Sequence, residues 1–405
     1  VSALPLDGIR IADFTWIGAG SFTTKLFSDF GADVIKIESG ERLDALRVSP
    51  PFRNGVPGVN RSGYFANRNT SKRSITLNLK TERGRELARR LIADSHIVAN
   101  NFSPGAMERL GLGYADVLKF KPDVIYLAMS MQGATGPEHK YLGFGLTIGA
   151  LSGLQYLSGL PHREPAGTGT NYPDHIPNPC HAAFALLAAL RHQSRTGEGQ
   201  FIDLAQTEPM ISLLGPAILQ FTANDVIVER SGNERVPMVP HGVYPCSGED
   251  NWIAISAWTD RSWTALANTL GKSDWTKSEY ATLQQRVELR DAINRDLAAE
   301  TRRWVGHKLM STLQDKGVAA AVVQSAADLI STDAQLKARG YWVYLDHPEM
   351  KRSLYNSAPF RMSDAAGIPR SPAPLLGQHT EEVCREILQL SDDDISVLRR
   401  DGVLS

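Results

Sequence analysis

The stretch IRIADFTWIGAGSFTTKLFSDFGADVIKIE, from Ile9 to Glu38, decides the fold class. Two short runs rich in β-branched residues, IRIADF (Ile9 to Phe14) and DVIKIE (Asp33 to Glu38), flank an amphipathic segment from Ser21 to Phe30. A hydrophobic period that changes from two to about 3.6 and back predicts a β-α-β unit with parallel strands. The alternation continues outward through SITLNL (Ser74 to Leu79), a helical pattern from Thr81 to Ala93, HIVAN (His96 to Asn100) and VIYLAMS (Val124 to Ser130). An α/β domain is the economical architecture for such a series.

Farther along, CHAAFALLAALRHQSR (Cys180 to Arg195) has the Ala/Leu content and basic end of a buried helix, stopped by TGEGQ and followed by a strand, FIDLAQ (Phe201 to Gln206). RSGNERVPMVP (Arg230 to Pro240) reads as a linker. A hairpin is expected in GVYPCSGEDNWIAIS, turning at Ser247 to Asp250, and helical periodicity runs from Thr259 to about Leu313. These boundaries give a large domain over 1–228, a smaller α+β domain over 229–330, and a segment 331–405 whose last helix, EEVCREILQL, returns to the large domain.

The 43 basic and 44 acidic residues nearly cancel and the basic ones are dispersed, which argues against a nucleic-acid partner or an anionic membrane surface. Cys180, Cys246 and Cys384 are too few and too scattered for a disulfide framework or a thiolate metal site, so no metal and a cytoplasmic location are expected. The longest apolar runs fall far below a membrane span.

Several segments carry chemistry. Gly18 and Gly20 after the first strand, with Glu38 ending the second, form part of a dinucleotide-binding fingerprint, but Thr23 stands where the third glycine belongs. Two glycines making a tight turn explain the pattern better, and amides at the helix start suit any pyrophosphate, that of coenzyme A included. NRNTSKRS (Asn67 to Ser74) places Lys72 and Arg73 before a strand, where a phosphate or only solvent can meet them. In NNFSPGAMERLGLGY (Asn100 to Tyr114), Ser103 reads as a helix N-cap and Pro104 as its first turn, with Arg109 on the helix.

In GTGTNYPDHIPNP, Asp174 sits in a loop stiffened by Pro173 and Pro177 before the apolar helix, next to Tyr172, His175 and Asn178. A lone Asp there is ordinarily a cap; the two prolines favour a carboxylate held where helix amides stabilise negative charge. His175 and His181 lack a third ligand for a metal, and Cys180 reads as a buried, inert thiol.

Taken together, LDGIRIADFT, GADVIKIE, NTSKRSITLNLK, ANNFSPGAMERLGLGY, RTGEGQFIDL, HGVYP and APLLGQHTEEV resemble the class III coenzyme A transferases, which include carnitine and formyl transferases and 2-methylacyl-CoA racemases. The resemblance runs over nearly the whole chain. It implies a Rossmann-like domain built from both chain ends, a smaller domain between, and two chains interlocked as rings, either a homodimer or a pair of homologous chains. It implies no permanent cofactor, with coenzyme A and acyl-CoA as substrates. Asp174 takes the position of the nucleophile, which would form an aspartyl anhydride and an aspartyl-CoA thioester. Coenzyme contacts carry over to Trp16, Ile17, Ala19, Lys72, Asn101, Phe102 and Arg109. Ser39 and Gly143 depart from the family pattern at positions where some members place an arginine and a lysine.

The racemase branch moves an α-proton with a His and an Asp. Phe144 stands where that histidine belongs, which favours transfer and makes Phe144 or Trp16 a candidate wall of the acid pocket. Tyr172, His175 and Asn178 are candidates for orienting the acids, and main-chain groups near Gly133 and Gly136 for holding the oxyanion. Within the family, WIGAGSFTTK and GTNYPDHIPNP resemble the catalytic-type chains of the benzylsuccinate CoA-transferases of anaerobic toluene degradation, which implies succinyl-CoA as donor and an aryl-substituted succinate as acceptor.

Overall fold

The computed structural model describes residues 4–235, 237–365 and 367–405. They divide into two compact units, one within residues 4–155, 167–226 and 335–405, the other within 156–166 and 227–334. Segment 156–166, placed by the sequence reading inside the first body, thus groups with the second.

The first unit is built on a six-stranded sheet of β1 (Arg10–Asp13), β2 (Asp33–Glu38), β3 (Arg73–Thr76), β4 (Ile97–Asn100), β5 (Ile125–Ala128) and β6 (Gln200–Asp203). Its order is β3-β2-β1-β4-β5-β6, parallel throughout. Period-two alternation sends Ile11 to one face of β1 and Ala12 and Phe14 to the other, and both faces are covered, as parallel sheets require. One face packs under α1 (Ile17–Ser28) and the long α4 (Pro177–Thr196) through Phe27, Ala182 and Leu186. The other packs under α3 (Glu82–Ala93) and two C-terminal helices through Leu87, Leu91, Val383 and Leu398. The chain end does return to this unit: the His379 N–H donates to Ser74 O at 2.9 Å and Thr380 Oγ1 accepts the Thr76 N–H at 3.0 Å.

Two local expectations change. α1 begins at Ile17, four residues before the amphipathic pattern, because Gly18, Ala19 and Gly20 carry too little side chain to register as periodic. Ser103 caps no helix; its carbonyl accepts from Ala106 in a turn, and the short helix Ala106–Arg109 is preceded by Gly105 at φ 83°.

The second unit holds a three-stranded antiparallel sheet of β7 (His241–Pro245), β8 (Trp252–Ser256) and β9 (Ala319–Val322), the first two forming the expected hairpin. Helices cover one face with a core of its own, in which Trp263 and Trp275 stack at 4.8 Å beside Ile253, Leu297 and Leu309.

Candidate active site

The strand order of the first sheet reverses between β1 and β4, and the crevice beyond their carboxyl ends is where open α/β sheets bind ligands. α1 starts in that crevice. Asp174 reaches it from a short helical turn, Tyr172–His175, rather than from the loop expected; Pro173 and Pro177 occupy first-turn positions of this turn and of α4, where a missing N–H costs nothing. The Asp174 side chain lies against α1 so closely that a Cβ on Gly18 would stand 2.9 Å from its own Cβ.

Asp174 is 5% exposed. Burial pushes its carboxyl pKa up to about 6, against the opposing pull of the Gly145 backbone N–H and the Arg68 guanidinium. Arg68 ends helix α2 (Gly63–Arg68) and stacks over Phe22 at 4.5 Å. It donates to His175 Nδ1, and burial together with this cation lowers the His175 pKa to about 4, so the ring is neutral at physiological pH. Arg68 also lies over the ring of Tyr64 at 5.8 Å, and that ring lies 5.9 Å from the ring of His175.

Asp174 opens on a cavity of about 290 Å³. Trp16, Ile17, Ala19, Asn101, Phe102 and Phe144 line it as well, so seven of the residues singled out from sequence meet here. Asn101 works through the backbone: its Oδ1 accepts the Trp16 N–H and its Nδ2 donates to Trp16 O, both at 2.7 Å. The first turn of α1 holds no acidic residue and Trp16 gives it no N-cap side chain; Asp44 takes the Ile17 N–H, and Gly18 and Ala19 after it line the cavity. Ser130, at the end of β5, is buried in the same wall with its hydroxyl unpartnered. Gly133 and Gly136 do not line this cavity; the Ala134 N–H beside them is taken by Asp203.

A second cavity of about 430 Å³ shares Trp16, Phe102 and Ser103 with the first and is lined by Arg42, Lys80 and Arg109. Trp16 and Phe102 meet edge to face at 5.4 Å, and Arg42 lies over the Trp16 ring at 5.2 Å. Lys72 belongs to neither cavity, which corrects the expected phosphate contact. Its ammonium is buried and bound to Asp13 (3.1 Å), Ser21 O (2.9 Å), Thr24 Oγ1 (2.8 Å) and Asn69 Oδ1 (2.9 Å). Burial lowers its pKa to about 8, with Asp13 opposing.

Three other candidates lie behind the cavity wall. Tyr172 packs against Met131, Ile148 and Met210. His175 faces Arg68, and Asn178 is fully buried, donating to Gln206 Oε1 at 3.4 Å with its own Oδ1 unpartnered. Cys180 is exposed, not buried as its apolar surroundings suggested. Sequence reasoning missed Tyr64, Arg68 and Gly145. Arg68 lay within the NRNTSKRS segment, where Lys72 and Arg73 drew the attention as cations.

The geometry also weighs the other chemistries. Glu38, the acid of the dinucleotide fingerprint, is 3% exposed and gripped by Arg47 through Nε–Oε1 (2.7 Å) and Nη2–Oε2 (2.6 Å), so it has no carboxylate to offer a ribose. Among the described residues no histidine lines the cavity of Asp174, and no group of His, Cys, Asp and Glu has the makings of a metal site. No helix among them is long and apolar enough to cross a membrane.

Residues 6–380 match CoA-transferase family III. The succinyl-CoA–D-citramalate CoA-transferase of Chloroflexus aurantiacus is 30% identical over 99% of this chain and 98% of its own. The beta subunit of succinyl-CoA–L-malate CoA-transferase from the same organism is 32% identical over 100% and 99%. The solved structure of a CAIB/BAIF family protein from Brucella suis superposes with a TM-score of 0.87 at 32% identity, covering 95% of this chain and all of that one. The chain belongs to CoA-transferase family III and is a CoA-transferase.

Proposed function

We propose that the enzyme moves coenzyme A from succinyl-CoA to a short dicarboxylic acid, with Asp174 as the covalent carrier. The observation that carries the reading is the placement of Asp174: a buried carboxylate on the wall of a cavity that Gly18 and Ala19, at the start of α1, line as well. An Asp174 oxygen attacks the thioester carbonyl, the C–S bond breaks, and coenzyme A leaves as thiolate from a mixed anhydride. The thiolate attacks the aspartyl carbonyl, the donor acid departs, and Asp174 holds coenzyme A as a thioester. The acceptor carboxylate then displaces the thiolate, and the thiolate attacks the acceptor's acyl carbon and releases Asp174. Each tetrahedral oxyanion is stabilised by the Gly18 and Ala19 amides, and the Trp16 and Phe102 rings help to keep water from the anhydride.

The coenzyme lies along the second cavity, its phosphates answered by Arg42, Lys80 and Arg109 in place of Lys72. Arg42 makes up for Ser39 at the position where other members carry arginine. Arg68 lines neither cavity and its unpartnered Nε is buried, so it acts on the reaction through Asp174, whose carboxyl pKa its charge lowers. Succinyl-CoA as donor is supported by the names of the relatives, which include a mouse succinyl-CoA:glutarate CoA-transferase, 29% identical over 100% of this chain. The naming of alpha and beta subunits among them supports an assembly of two homologous or identical chains.

A second reading keeps the mechanism and changes the acceptor. Tyr141, Leu142 and Phe144 present exposed apolar side chains to the cavity, a surface suited to the aryl group of benzylsuccinate. A panel of acceptors with succinyl-CoA separates the two: faster transfer to malate, citramalate or glutarate supports the short acids, faster transfer to benzylsuccinate the aryl one. Incubation with succinyl-CoA and then hydroxylamine tests the carrier, since a hydroxamate is expected at Asp174. An adduct elsewhere, or full activity in Asp174→Ala, would overturn the mechanism.

A further inference from the structure

The backbone joining β1 to α1 is held group by group by side chains from inside the fold. Asp13 Oδ1 accepts from the Thr15 N–H at 2.9 Å, Lys36 Nζ donates to Thr15 O at 2.5 Å, Asn101 takes both polar groups of Trp16, and Asp44 Oδ1 accepts the Ile17 N–H at 3.1 Å. Asp44 is 1% exposed and pairs with the equally buried Lys36 at 3.1 Å. Neither lines a cavity with Asp174. Charges taken so far from water stabilise a fold weakly compared with apolar residues of the same size; what they supply is a fixed acceptor or donor at a defined point.

The turn that they hold is strained. Ile17 has φ 57°, in the left-handed region that a β-branched residue enters only when its surroundings impose it. The residue after it is Gly18, whose backbone lies against Asp174. The conformation of Ile17 therefore sets the direction in which α1 leaves the turn and the distance from its first amides to the carboxyl carbon of Asp174.

We propose that Asp44 is a positioning residue for acyl transfer: by accepting the Ile17 N–H it keeps Ile17 left-handed and so holds the start of α1 in register with Asp174. The inference rests on the reading of Asp174 as nucleophile. Asp44 touches neither substrate nor reacting atoms; it acts through Ile17, and Lys36 fixes the rotamer with which it does so.

A double-mutant cycle on the purified full-length enzyme, read as the single-turnover rate of hydroxamate formation at Asp174 with saturating succinyl-CoA, tests this. Asp44→Ala should slow acylation by about tenfold or more while KM for succinyl-CoA changes less than about threefold, because about 1.4 kcal/mol is a factor of ten in rate. Asp44→Asn, which keeps an acceptor for the Ile17 N–H, should recover most of that loss. In an Ile17→Gly background, where φ 57° needs no restraint, the cost of Asp44→Ala should shrink to within about threefold of that background's own rate. If the cost is the same in both backgrounds, or if it falls on KM, Asp44 does not position through Ile17 and the proposal is wrong. Should Asp44→Ala not fold, because Lys36 is left unpaired, Asp44→Ala with Lys36→Gln restores charge balance and runs through the same cycle. Loss of the hydroxamate from the wild-type enzyme would instead remove the nucleophile reading, a result separable from an adduct that forms at Asp174 and ignores Asp44.

Discussion

Gly18 lacks a side chain because Asp174 occupies the space for one: a Cβ there would lie 2.9 Å from the Asp174 Cβ and 3.4 Å from the Tyr64 hydroxyl. Gly18→Ala must therefore move either the helix start or the carboxylate. Small displacements of reacting groups cost up to about 10²-fold in rate, so kcat should fall at least about tenfold. The fold should survive, since Gly18 faces the crevice and not the sheet core. Circular dichroism and steady-state kinetics check both halves, and a wild-type kcat would show that this close packing is incidental.

The raised pKa of Asp174 makes activity and stability respond to pH in opposite directions. The nucleophile must be ionised, so kcat/KM should rise with pH through about 6 and level off above it. For stability, a carboxyl held above its ordinary 3.8 binds its proton more tightly folded than unfolded. Its contribution is complete below pH 3.8 and is lost as pH climbs through 6. Asp174→Asn should consequently stabilise the protein at pH 8 by about 2–3 kcal/mol, at about 1.4 kcal/mol per pKa unit, and by little below pH 4. Urea unfolding at the two pH values measures this, and equal effects at both would refute the burial argument.

Arg68 lowers the Asp174 pKa by its charge, although burial outweighs it. Arg68→Met should move the acidic limb of the pH–rate profile upward, because the carboxylate loses its nearest cation. Because Arg68 lines neither cavity, KM for dicarboxylate and monocarboxylate acceptors should change alike. A rise in KM confined to dicarboxylates would place Arg68 in the acid pocket instead.

What sequence could show was local. DVIKIE forms β2 over the residues read from its pattern, Thr81 caps α3 by accepting from the Gly84 N–H, and HGVYP pairs with WIAIS as a hairpin. These are decided by neighbours within a few positions. Arg68 beside Asp174 was not legible, since the two are joined only when α2 and the Tyr172–His175 turn meet over 100 positions apart. Lys72 shows the same limit from the other side. A lysine before a strand looks like a phosphate ligand until Asp13, 59 positions away, is found holding it. Gly18 and Gly20 were read as making a tight turn, but both lie in the first turns of α1, and the group that needs Gly18 to be small, Asp174, lies far along the chain.

Lys72 and the exposed cations of the second cavity should part company when each is replaced. Lys72→Met leaves the Asp13 carboxylate buried and without its cation, and removing one partner of a buried pair costs roughly 3–5 kcal/mol, so the expected outcome is a lowered unfolding midpoint. Acyl-CoA affinity in whatever remains folded should change little, because the Lys72 ammonium faces Asp13, Ser21, Thr24 and Asn69 and not the cavity. Arg42→Ala and Arg109→Ala should do the reverse. Their guanidinium groups are exposed, so stability should hold within about 0.5 kcal/mol, as is usual for surface positions. Each should weaken acyl-CoA binding about tenfold at low salt, and by less as added salt screens the phosphates over a Debye length of about 8–10 Å. Titration calorimetry with a non-reactive thioether analogue of succinyl-CoA, at two ionic strengths, reads the affinities, and urea unfolding reads the stabilities. If Lys72→Met were as stable as the wild type and bound the analogue tenfold more weakly, Lys72 would be a coenzyme ligand after all, and the coenzyme would have to run across the β1–β3 end of the sheet instead of along Arg42 and Arg109.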